Sequence, residues 1–234
     1  MNRVLVALDV ATADEALALA DRLQPHVGGF KVGLELLMGE GSSVVSSLAA
    51  LGSPVFVDAK LHDIPNTVGK AVERLGSLGA RWVTVHASGG GEMVRVAAEA
   101  LNESSGGTAG VLAVTVLTSM GEYELAEIGI DRPLDELVSS LARSASAAGA
   151  EGVVCAVTEA RLVQALGLGL TVVTPGIRSA QAEASDQKRV ASPAAAIRAG
   201  SDLLVVGRPI TGAVDVVAAA IAIGEEIDAA VSAT

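Results

Sequence analysis

The chain is poor in aromatic residues, has a single cysteine, holds fewer basic than acidic side chains, and contains no long apolar run. Phe, Trp and Tyr together make up 2% of the residues, so a packed interior has to be assembled from Val, Leu, Ile and Ala. One cysteine, Cys155, excludes an internal disulfide and any multi-cysteine metal site. It lies in the apolar run Gly152-Val-Val-Cys-Ala156 and reads as a buried, inert thiol. Lys and Arg number 16 against 27 Asp and Glu, a net charge of −11, which argues against general nucleic-acid binding. An anionic small molecule is still admissible, because a local cluster of cations can dominate one site. No apolar stretch reaches the ~18–20 residues needed to span a bilayer. The first residues, Met1-Asn-Arg-Val-Leu-Val-Ala-Leu-Asp9, read as a strand at once, with a charge too early for a signal peptide. A cytoplasmic protein with no membrane partner is expected.

What is present is a regular alternation. Half of the 234 residues are apolar, enough for a large core and against disorder. Short, β-branched apolar runs predict strands at Val4–Leu8, Phe30–Val32, Val55–Lys60, Trp82–His86, Gly110–Leu117, Gly152–Ala156, Thr171–Thr174 and Leu203–Val206. Between them lie Ala- and Leu-rich helical stretches. These include Thr12–Leu23, with Thr12 and Glu15 at capping-box spacing, and others at Ser42–Leu51, Ile64–Leu78, Met93–Leu101 and Val214–Ile227. Strands without polar alternation are expected where helices cover both faces of a parallel sheet. Eight such units in this length predict a single-domain (β/α)8 TIM barrel spanning residues 1–234; an open doubly wound sheet is the alternative.

Active sites in such barrels form at the C-terminal ends of the strands. Here almost every strand delivers a polar group to that rim. Strand 1 ends at Asp9, and strand 2 carries Lys31. Strand 3 carries Asp58 and Lys60, at i and i+2 and so on one face, and leads to Asp63. Strand 4 ends at His86 and strand 5 at Thr118-Ser119. Singly, each has a bland reading: Asp63 as a helix N-cap ahead of Pro65, Asp9 or Lys31 as a rim charge, His86 as a structural histidine. Together they point to a reaction centre. The loops after strands 7 and 8, Thr174-Pro-Gly-Ile-Arg178 and Gly207-Arg-Pro209, each pair a glycine with an arginine. That combination at those two loops suits a phosphate, so Arg178 and Arg208 suggest a phosphorylated small molecule. Gly89-Gly-Gly91 lacks the Lys-Ser/Thr of a P-loop and reads as a turn.

The segment Asp58-Ala-Lys-Leu-His-Asp-Ile-Pro-Asn-Thr67 resembles the Asp-x-Lys-x-x-Asp motif of the orotidine 5′-phosphate decarboxylase family in its extended form. Similar family segments run the length of the chain: Phe30-Lys-Val-Gly33, Val116-Leu-Thr-Ser-Met120, Thr174-Pro-Gly-Ile-Arg178, Asp186-Gln-Lys-Arg-Val190 and Val205-Val-Gly-Arg-Pro-Ile-Thr211. The resemblance implies conversion of orotidine 5′-monophosphate to uridine 5′-monophosphate and CO2 without metal or organic cofactor. On it, Lys31, Asp58, Lys60 and Asp63 form the catalytic charged array, with Lys60 as general acid. Asp9 and Lys31 would hold the ribose, Thr118 and Ser119 the pyrimidine edge, and Gln187 would bridge base and phosphate. Arg178, Gly207 and Arg208 would hold the phosphate, while Ile64 and Pro175 belong to the same motifs and would line the substrate site. Asp63 and Thr67 would complete the site of a second subunit, implying a homodimer, and the polar segment Ser179–Lys188 would be the lid. Metal-dependent sugar-phosphate enzymes of the same superfamily share the motif but place a carboxylate, not Lys31, on strand 2.

Overall fold

A computed structural model describes residues 2–178 and 191–232. Strands β1 (Val4–Ala7), β2 (Gly29–Val32), β3 (Val55–Leu61), β4 (Ala80–His86), β5 (Gly110–Val114), β6 (Gly152–Val154), β7 (Thr171–Thr174) and β8 (Leu203–Val206) pair in sequence order. All pairings are parallel, and β1 pairs with β8 to close the barrel. The (β/α)8 expectation holds, and the open sheet is excluded.

The uninterrupted apolar strands follow from this closure. Along β1, Val4 and Val6 face the surrounding helices, whereas Leu5 and Ala7 face the barrel interior. The interior is filled by side chains such as Leu5, Phe56, Trp82, Leu112, Val173 and Leu203. Phe56 and Trp82 therefore occupy the one place in this aromatic-poor chain where a wide cylinder has to be filled from few positions. Beneath them Glu151 takes a two-pronged ion pair from Arg81, 2.7 and 2.8 Å, and accepts from Trp82 Nε1 at 2.8 Å. Cys155 is buried, as its apolar neighbours require.

Helices cover the outer face. The first, Ala13–Leu23, starts where Thr12 Oγ1 accepts the Glu15 N–H at 3.3 Å, as its spacing predicts. Several limits differ from expectation: β5 ends at Val114, not Leu117, and β6 at Val154, not Ala156. The stretch read as one helix at Ser42–Leu51 is preceded by a separate helix, Leu34–Glu40. Gly41, at φ 75°, breaks the chain before the second begins at Ser43. The helix after β3 runs Pro65–Ser77, and its N-cap is Ile64, not Asp63. Pro65 at the first turn needs an extended residue before it, which Ile64 supplies at ψ 150°. Asp63 Oδ1 instead accepts the Ile64 N–H at 2.6 Å.

Gly152 on β6 shows how tightly the interior closes. A Cβ there would press into the Thr171 carbonyl oxygen and lie 2.9 Å from Leu112 Cδ2. The Thr171 carbonyl belongs to the neighbouring strand and cannot retreat without disturbing the β6–β7 pairing, so Gly152→Ala is expected to destabilise the barrel by roughly 1–3 kcal/mol. Denaturant unfolding, with unchanged slope and a lowered midpoint, checks this.

Candidate active site

The C-terminal rim opens into a cavity of about 300 Å³. Its lining includes Asp9, Lys31, Asp58, Lys60, Thr118 and Arg208, together with Pro175, Arg178 and Gly207. Nine residues singled out in the sequence thus meet in one space. Its apolar wall comes from Phe56, Val154 and Val205, which the sequence marks only as core.

Local distortion of β3 builds the charged centre. Val57 pairs with Val83 and Leu61 with Val85, so three residues on β3 face the single residue Thr84 on β4. The i, i+2 argument for Asp58 and Lys60 therefore reaches the right result by an incomplete route: they share the cavity across a bulge, not along a regular strand. Lys60 itself has φ 49°, the left-handed region, where a non-glycine residue costs of order 1–3 kcal/mol and needs its surroundings to hold it.

Asp58 lies between two ammonium groups. Its Oδ2 is 2.7 Å from Lys60 Nζ and 3.8 Å from Lys31 Nζ. Lys31 Nζ also donates to Asp9 Oδ1 at 3.1 Å. Lys31 is almost fully buried and Lys60 one-third exposed, so the second cation faces the open part of the cavity. Gly33 leaves them room, since a Cβ there would stand 2.8 Å from Lys31 Nζ and 3.1 Å from Asp9 Oδ1 and would displace one or both.

The remaining expected residues fall elsewhere. Asp63, Ile64 and Thr67 are exposed and do not line the cavity of their own chain. Ser119 is also exposed, beyond Thr118. Gln187 and the expected lid lie outside the described residues. His62 and His86 form a tilted ring pair with centroids 5.3 Å apart.

A closed parallel barrel with two lysines, two aspartates and two arginines converging on its C-terminal cavity defines a (β/α)8-barrel enzyme acting on a small anionic ligand. Comparison with known proteins narrows the class. Residues 2–223 match the model of the Orotidine 5′-phosphate decarboxylase / HUMPS family. The chain is 50% identical to the orotidine 5′-phosphate decarboxylase of Halorhodospira halophila over 229 residues, covering 97% of each chain. It is 50% identical to that of Chromobacterium violaceum over 225 residues, covering 96% of this chain and 91% of the relative. The crystal structure of orotidine 5′-phosphate decarboxylase from Lactobacillus acidophilus superposes with a TM-score of 0.85 at 36% identity, covering 97% of this chain and all of the other. The chain belongs to the orotidine 5′-phosphate decarboxylase family.

Burial holds the His86 imidazole below its ordinary pKa of 6.5. Repulsion from His62 and Lys60 acts in the same direction, and Asp58 opposes it. An unfolded chain then binds this proton more readily than the folded one. The stability tied to neutral His86 is complete above pH ~6.5 and is lost as pH falls through the lower folded value. Thermal unfolding between pH 5 and 7.5 should show this decline, and His86→Gln should flatten it.

Proposed function

We propose that this chain decarboxylates orotidine 5′-monophosphate to uridine 5′-monophosphate and CO2, the last step of de novo pyrimidine synthesis, with no metal or cofactor. The observation that carries the reading is the Lys60 ammonium, 2.7 Å from Asp58, in a cavity that Arg178 and Arg208 also line. When the C6–carboxylate bond breaks, CO2 departs and the electron pair stays on C6. It lies in an in-plane orbital that the ring π system absorbs poorly. A fixed cation beside C6 stabilises that pair, and the same ammonium then delivers a proton to it. Asp58 favours the charged form of Lys60 and holds it in place, so little reorganisation is needed as charge develops.

The two arginines of the lining suit the 5′-phosphate, which is remote from the breaking bond. Their binding energy contributes to catalysis if it is used to orient and enclose the base. Lys31 separates this reading from the metal-dependent members of the superfamily. Its ammonium, held between Asp9 and Asp58, stands where a magnesium-binding enzyme would offer a carboxylate oxygen. An ammonium cannot ligate a cation.

The assay is loss of the ultraviolet absorbance of orotidine 5′-monophosphate by EDTA-treated protein. Rapid turnover is expected. Lys60→Ala should lower kcat by at least about 10⁴-fold, since charge stabilisation and proton donation are lost together. An inactive, folded wild-type protein that gains activity toward a sugar phosphate on adding Mg2+ would reverse the assignment.

The site also calls for a second subunit. On its own chain Lys60 pairs with Asp58, while Asp63 and Ile64 on the loop after β3, and Thr67 in the first turn of the helix that follows, are exposed. Ile64 is 66% exposed, and the apolar side chains of Leu34 and Met38, on the helix after the neighbouring strand β2, are 48% and 73% exposed. Burying that face in a homodimer would bring Asp63 and Thr67 to the partner's cavity. Lys60→Ala and Asp63→Ala chains, each inactive alone, should then recover activity when mixed under conditions that allow exchange.

A further inference from the structure

We propose that Thr84 is a positioning residue for the reaction centre, setting the backbone of Lys60 and the carboxylate of Asp58 through one hydroxyl group. Thr84 lies on β4 with no solvent exposure, one turn of the pleat above Trp82 and facing the barrel interior. Its Oγ1 accepts the Lys60 backbone N–H at 2.8 Å and lies 3.0 Å from Asp58 Oδ1. The direction of the second bond is fixed by chemistry. A carboxylate only accepts, so the single hydroxyl hydrogen of Thr84 goes to Asp58.

This contact answers two needs at once. The β3 bulge removes the Lys60 N–H from the regular ladder, and a buried N–H without a partner is costly. Thr84 supplies the acceptor, and in doing so helps to hold Lys60 at φ 49°. The same hydroxyl satisfies Asp58 Oδ1, leaving Oδ2 to the two ammonium groups. Asp58 is thereby fixed at both oxygens. A side chain that cannot hydrogen-bond would free the carboxylate to rotate and the Lys60 backbone to relax.

A structural threonine that merely fills space predicts otherwise. Thr84→Val keeps the shape and removes the hydroxyl; Thr84→Ser keeps the hydroxyl and removes a methyl. Resting on the decarboxylase reading, the expected result is a fall in kcat of about 10–100-fold for Thr84→Val, the scale of a misplaced catalytic group. KM should change far less, because the phosphate arginines are untouched, and Thr84→Ser should stay close to wild type. Should Thr84→Val fail to fold, Thr84→Ala carries the same reading, with kcat below that of Thr84→Ser. Wild-type kcat in the hydroxyl-free variants, or equal damage in Thr84→Ser and Thr84→Val, would overturn the proposal. Crystal structures of the variants separate this from the substrate assignment. A Lys60 Nζ–Asp58 contact displaced in Thr84→Val and retained in Thr84→Ser supports positioning even if orotidine 5′-monophosphate is not the substrate. An unmoved contact in Thr84→Val refutes it.

Discussion

The site depends on one carboxylate shared by two ammonium groups. Asp58 Oδ2 lies between Lys31 and Lys60, and the rest of the rim is arranged around that sharing. Two lysines this close in a partly buried cavity would repel; Asp58, with Asp9 on the outer flank of Lys31, brings the group of four to charge balance. A buried ion pair is poor evidence for stability, because desolvation offsets much of its attraction. A chain whose barrel interior is filled largely by apolar side chains therefore has no structural need for this cluster. The proposed decarboxylation, which needs a cation held in a fixed place, supplies a reason for its presence.

Much of this was legible in the sequence. The barrel followed from short, largely apolar runs alternating with helical stretches, a pattern that suits strands covered by helices on both faces. The site followed from counting what each strand delivers to its C-terminal end. Asp9, Lys31, Asp58, Lys60, Thr118, Pro175, Arg178, Gly207 and Arg208 do meet there. Strand and helix limits moved by a few residues, as hydrophobic pattern marks the middle of an element better than its ends. The exchange of N-cap from Asp63 to Ile64 had a local cause, the extended geometry demanded by Pro65, which outweighed the usual preference for aspartate.

Thr84 was not legible, for a different reason. In a run such as Arg81-Trp-Val-Thr-Val-His86, a threonine is an ordinary β-branched strand residue. Its importance comes from what stands opposite, and that is set by a register shift between β3 and β4 that leaves no mark on either segment alone. The same holds for Gly33, whose missing side chain makes room for the Lys31 ammonium. Both belong to the geometry between elements, whereas the charged residues announce themselves within one.

The bulge in β3 also bears on how the protein comes to have a site at all. Regular pairing resumes at Leu61 opposite Val85, so the distortion is bounded on both sides by ladder contacts to β4. Asp58 and Lys60 are neighbours in the chain, yet their arrangement is a non-local property. It needs a hydroxyl from a residue 24 positions beyond Lys60. During folding, or in a ribosome-bound chain that has emerged only through β3, both charges exist without the array. The geometry of this pair therefore arrives with the docking of β4, and never belongs to the motif as a peptide.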